Sequence, residues 1–124
     1  MRTQEIQSED WQEFCKKFTD FNHGSLLTVE MIAPDGVPSE IARDRPLDKM
    51  TYDKTDACND IISISLGEPN QKKTNHFVIE PIHLRLTQAE GGKKLLQMTA
   101  ENGITLVTFH SGRFPQLNNF SDEK

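Results

Sequence analysis

Histidines, arginines and carboxylates are the side chains of this chain with chemistry to offer, and their spacing decides how far each reading goes. His83 and His110 fall on strand patterns, with Glu80 just ahead of His83. Two histidines and a carboxylate converging from neighbouring strands would make a metal set, and with it a small metal-dependent enzyme or metal-binding protein. Nothing in the spacing fixes that convergence. Isolated strand histidines are more often surface or hydrogen-bonded structural residues, so the metal set is the minor reading. The most concentrated polar cluster is Arg43-Asp44-Arg45, followed by Pro46. Two guanidinium groups around a carboxylate beside a rigid bend could present a bidentate site for an anionic ligand. The competing reading is an intramolecular ion-pair cluster that pins the bend, worth little if exposed. It is the favoured one, because charge patterning alone is weak evidence for a site.

The remaining nucleophiles carry less. Cys15 sits on an apolar stripe and reads as core, while Cys58 lies among Asp56 and Asp60, whose charges disfavour a thiolate. The two cysteines lack any Cys-x-x-Cys or Cys-x-x-His spacing, so neither a disulfide framework nor a zinc site is suggested. Reduced thiols in a cytoplasmic protein are expected. Ser63 and Ser65 have no nucleophile elbow around them, and Gly91-Gly92 has no helix start after it. No cofactor is implied. His23 follows a helix pattern, where a cation meets the negative end of the dipole.

Composition bounds the rest. With 124 residues and a 35% hydrophobic fraction, the chain fits one domain with a compact core. The pattern assigns residues 1–111 to that domain and 112–124 to an irregular tail, held at most by Phe114, Leu117 or Phe120. A net charge of −5 argues against a general nucleic-acid or anionic-membrane binder, whose affinity rests on a positive field. The opening residues lack the apolar run of a signal peptide, and no stretch has the length of a membrane-spanning helix.

The elements that must position these residues begin with one helix, predicted over Ser8–Phe21. Trp11, Phe14, Cys15, Phe18 and Phe21 recur on one stripe, Ser8 suits the N-cap, and Gly24 suits a left-handed C-cap. Strands follow. Leu26 to Ile32 alternates with Leu27, Val29 and Met31 on one face, and a loop over Pro34–Pro38 would pair Met31 with Ile41. Pro46 marks a bend with a short strand reaching Tyr52. Asp60 to Gly67 points Ile62, Ile64 and Leu66 one way. From His76 to Thr87 the apolar parity switches: Phe77 and Ile79 read as inward before Pro81, and Ile82, Leu84 and Leu86 after it. His76 and His83 then face out, and Pro81 marks a bulge or sharp bend. Asn102-Gly103 supplies a tight turn between Glu101 and Ile104. Counting outward pairs Ala100 with Thr105, Met98 with Val107 and Leu96 with Phe109. The opposite hairpin face carries Leu95, Ile104 and Leu106, which must be covered by the helix, by curling of the sheet or by another subunit. The fold class is therefore α+β and mainly β: an N-terminal helix packed on a curled antiparallel sheet or small open barrel of six to seven strands.

Several of these words resemble a family of small bacterial proteins of unknown function. The likeness runs through Met1-Arg2-Thr3-Gln4-Glu5-Ile6, Trp11 and Phe14, then Ala42-Arg43-Asp44 with Pro46-Leu47. It continues in Ile62-Ser63-Ile64-Ser65-Leu66-Gly67 and from His76 through Pro81 to Leu84. It spans nearly the whole chain in matching order and implies no activity. A looser likeness to Sm-like barrels, which also place a helix before a bent antiparallel sheet, carries no function either. The expectation is a non-catalytic binding or interaction module for an unknown protein or small molecule, with a homodimer as a further expectation.

Overall fold

A computed structural model describes residues 2–54, 60–88 and 94–109. Its eight strands form one antiparallel sheet in the order β1-β6-β7-β8-β2-β3-β4-β5, which curls over a single helix without closing. The class expected from the sequence holds, with eight strands in place of six or seven.

The additional strand is β1, Arg2–Glu5, which lies along β6, Pro81–Gln88, at one end of the sheet. Its polar sequence has no inward-facing apolar residue to betray it. The ladder and outward side chains hold it, including Thr3 Oγ1 at 2.9 Å from Thr87 Oγ1. Ile6 then turns inward. Its N–H donates to Leu84 O (2.8 Å), and its carbonyl accepts from Trp11 Nε1 (2.9 Å). That pair of bonds fixes where the helix starts. One 3-10 turn, Ser8–Asp10, leads into α1, Trp11–Asn22. Trp11, Phe14, Cys15 and Phe18 are buried as the stripe predicts, but Phe21 is 44% exposed and Asn22 takes the inward place. Both lie within a turn of Phe18. The asparagine can bond Phe18 O through Nδ2 (3.1 Å) where the helix ends, and Gly24 follows at φ +86°.

Two strands join the halves of the sheet. β2, Leu26–Ile32, pairs with β8, Gly103–Phe109, on one side and with β3 on the other. β3 is a single strand of 17 residues, Pro38–Lys54, through the bend expected at Pro46. Its first part pairs with β2 as far as Pro46, and its second part pairs with β4, Asp60–Leu66, from Leu47 onward. Register shifts flank the changeover, and Asp44 stands there at φ +50°. Bulges increase local twist and bend the strand, which is how one strand serves both halves of the sheet. The β2–β3 loop is tighter than expected: Ile32 pairs with Pro38 and Met31 with Ser39, so Met31 does not face Ile41.

β5, Thr74–Ile79, reverses the expected parity. His76 and Val78 are buried, whereas Phe77 and Ile79 are exposed. Ile82 is exposed as well, and Leu84 and Leu86 are buried. The irregularity expected at Pro81 is present, with Glu80 at φ +52° and a register shift between Pro81 and His83. It bends the chain, with His76 and Val78 inward before it and Leu84 and Leu86 inward after it. His76 tolerates burial because its Nε2 lies 2.8 Å from Thr105 Oγ1. β5 and β8 are far apart in strand order, so this contact across the interior records how strongly the sheet curls.

The hairpin of β7, Lys94–Ala100, and β8 keeps the predicted faces but not the predicted register. Ala100 pairs with Gly103, Met98 with Thr105 and Leu96 with Val107. The turn residues are Glu101 and Asn102, neither at positive φ, and Gly103 takes φ +126° as the first strand residue. A Cβ there would collide with the carbonyl oxygen of Ile32 on β2. The helix packs on the inner face, where Phe18 meets Phe109 edge to face at 5.4 Å between centroids. Leu95, Ile104 and Leu106, on the other face, are half-buried without it. His110, Cys58, the Gly91-Gly92 turn and the 112–124 tail lie outside the described residues.

Candidate functional site

Arg43, Asp44 and Arg45 are consecutive on β3, and their side chains have separate partners. Arg43 donates from both Nε (2.9 Å) and Nη2 (2.6 Å) to one Glu40 oxygen, Oε1. Asp44 Oδ1 accepts from Thr28 Oγ1 at 3.5 Å, and the Asp44 N–H donates to the same hydroxyl at 3.2 Å. Arg45 turns toward the far end of β5, donating from Nη1 to Thr74 Oγ1 (3.3 Å) and from Nη2 to Lys72 O (3.5 Å). Each of the three has an intramolecular partner, and the two guanidinium groups diverge.

His83 is placed by β6 on the outer face, where its Nδ1 lies 2.6 Å from Glu5 Oε2. The other Glu5 oxygen accepts from Arg85 Nε at 3.1 Å. The hydrogen bond from His83 holds the Glu5 carboxyl below its ordinary range; partial desolvation opposes it and Arg85 reinforces it. Glu5 was not singled out from sequence, because its strand has no apolar alternation. Glu80 stands at the bend ahead of His83, and its proposed partner His110 is not among the described residues. Among the described residues, no three His, Cys, Asp or Glu side chains gather as a metal-binding group.

A substantial concavity lies elsewhere. A groove of about 1060 Å³ runs between α1 and the second half of β3. Its floor holds Cys15, Thr19, Met50 and Tyr52. Thr19 is the clasp: its hydroxyl accepts from Met50 N–H (2.8 Å) and lies within 3.0 Å of both the Cys15 and Met50 carbonyls. Burial pushes the Cys15 thiol up to about 12, so it stays a thiol. Burial and the neighbouring Asp60 carboxylate also raise the Tyr52 phenol. The lining carries both signs of charge: Glu9, Glu13, Lys16, Lys17 and Asp20 from the helical side, and Lys49 and Asp53 from β3. Lys17 and Glu13 are 3.2 Å apart on the helix. A smaller cleft of about 410 Å³ lies by the helix C-terminus, lined by His23, Leu26, Asp48, Gly67 and Lys73. His23 contacts the Asp48 carbonyl there at 2.9 Å, which accounts for it structurally. Helix periodicity hinted at the groove only indirectly, since its second wall comes from residues distant in the chain.

Against known proteins, residues 2–115 match the model of a family of unknown function, DUF5335. The chain belongs to that family. No curated protein and no solved structure matches the chain. DUF5335 membership therefore names no reaction and no ligand. Among the described residues of this DUF5335 domain, no helix is long and apolar enough to cross a membrane.

Proposed function

We propose that this domain is a non-catalytic binding module that receives its ligand in the groove between α1 and β3. The single observation that carries this reading is the groove itself. It joins an apolar and hydroxyl-bearing floor to walls of mixed charge, the usual make-up of a recognition site. The chemistry of its floor supports binding over catalysis: the thiol is held protonated, and the Glu5–His83 pair belongs to a different part of the sheet. Walls carrying four carboxylates and three lysines suit a zwitterionic small molecule or a short peptide segment of mixed charge. A free, buried cysteine fits a reducing compartment such as the cytoplasm.

The test is a backbone-amide chemical-shift screen of labelled protein against a set of zwitterionic fragments and short mixed-charge peptides. Hits should shift amides between Glu9 and Asp20 and between Lys49 and Asp53. A Lys16→Glu, Lys49→Glu variant should weaken those hits by about tenfold. Shifts confined to the Glu5–His83–Arg85 cluster, or binding unchanged in the double variant, would remove the groove from consideration.

A further inference from the structure

β3 changes neighbours at its bend, and the change leaves part of one edge without a strand. Up to Pro46 it pairs with β2, and from Leu47 to Lys54 it pairs with β4 on its other side. Leu47 is still served from the β2 side, donating to Ser25 O and accepting from Gly24 N–H, both at 2.9 Å. Past Leu47, where β2 would have to continue, α1 stands instead, and the groove lies between them.

Two sets of bonds fix the main-chain direction on this stretch. The Met50 N–H donates to the Thr19 hydroxyl and the Met50 carbonyl accepts from it, so both groups point away from β4. At the end of the ladder Lys54 pairs with Asp60, whose carbonyl points to the β5 side and accepts from Glu80 N–H at 2.7 Å. Directions alternate along an antiparallel strand, so Tyr52 and Lys54 share the outward direction of Met50. Thr19 satisfies Met50. Among the described residues, none bonds the N–H or the carbonyl of Tyr52, which lines the groove.

An outward donor and acceptor on a strand edge inside a groove are what strand addition uses, where an extended peptide bonds the edge main chain. A volume of about 1060 Å³ stands at the top of the range of about 300–1,000 Å³ usual for small-molecule pockets, which favours a peptide. Charge differs along the groove because α1 runs antiparallel to this stretch: Thr19 meets Met50, and Trp11 meets Tyr52. The end at Tyr52 therefore holds Glu9, Glu13 and Asp53, with Glu13 shared by Lys17. We propose, resting on the groove as the binding site, that Tyr52 and Lys54 receive an extended peptide segment of another protein as an added strand. A lysine or arginine of that segment lies against Glu9 and Asp53.

The test reads amide shifts and hydrogen exchange of labelled protein with a capped hexapeptide of alternating valine and threonine carrying one lysine. Its glutamate counterpart and versions N-methylated at each main-chain nitrogen in turn are the comparisons. The lysine peptide should shift the Tyr52 and Lys54 amides, slow their exchange and bind more tightly than the glutamate peptide. N-methylation at every second nitrogen should weaken binding about tenfold or more, because it leaves the Tyr52 carbonyl unmet, and the intervening positions should matter about twofold or less. Groove shifts indifferent to N-methylation at every position would overturn strand addition and leave a groove read through side chains. So would zwitterionic fragments that shift the groove amides when no peptide does. Equal or tighter binding of the glutamate peptide would overturn the basic partner. Concentration-dependent shifts at Tyr52 without peptide would give the edge to a second copy, against the proposal. A groove silent to fragments and peptides alike would remove the groove as a site, and strand addition with it.

Discussion

Glu5 shows what one side chain does when its strand has little else to hold it. Its two oxygens bridge His83 and Arg85, so the carboxylate fastens the first strand to the sheet through charge-assisted bonds. Because the folded state lowers its pKa, the folded chain binds fewer protons than the unfolded chain in the window just below the ordinary carboxylate value. The stabilisation is complete above that value and is lost as pH falls through the lowered one. The side chain is about a third exposed, so solvent screening keeps the effect at about 1 kcal/mol or less. Urea unfolding at a series of acidic pH values checks this. Glu5→Gln should be less stable than the parent near neutrality, and the difference should shrink toward zero in acid. A difference independent of pH would mean that the bridge is neutral hydrogen bonding without a charge component.

At the scale of the element, the β7–β8 hairpin separates what local chemistry dictates from what the neighbours dictate. Alternation told which hairpin residues face the core, and those faces are correct. The register was misplaced because Asn102-Gly103 is read by habit as the two central turn residues. In the fold Gly103 instead supplies the positive φ immediately after the turn, with β2 so close that no Cβ fits. That proximity belongs to Ile32 on β2, about seventy positions away in the chain and invisible to any short window. The same limit explains β5, where Phe77 and Ile79 look like core residues until His76 finds Thr105 across the interior. It explains the groove too, since Thr19 reads as a polar helix residue until Met50 is beside it. The helix stripe, the β4 alternation and the bend near Pro81 were legible because each is decided within a few residues. Gly103→Ala tests the close approach. Strain at φ +126° and the collision with Ile32 should together destabilise the domain by about 2 kcal/mol or more in chemical denaturation. A loss well under 1 kcal/mol would show that β2 can give way there.

At the scale of the molecule, the buried side chains form one cluster drawn from both halves of the curled sheet and from the helix. Phe18 stacks near Phe14 and meets Phe109 edge to face, so α1 sits inside the curl as part of the core. A helix placed there has no separate unfolding transition available, because removing it exposes the inner faces of strands on both sides. The chain carries its own reporter: Trp11, the single tryptophan, donates to Ile6 O and packs edge to face on Tyr52 at 6.0 Å. Its fluorescence therefore reads the junction of β1, α1 and β3, while far-ultraviolet circular dichroism reads chiefly the sheet. The two signals should change together along one denaturant transition. Phe18→Ala, which empties fully buried space, should move both midpoints down by the same amount, equivalent to about 3–5 kcal/mol. If fluorescence changed at a lower denaturant concentration than circular dichroism, α1 would be leaving an intact sheet. The single core would then divide into a stable sheet and a detachable helix, and the groove between α1 and β3 would be a hinge.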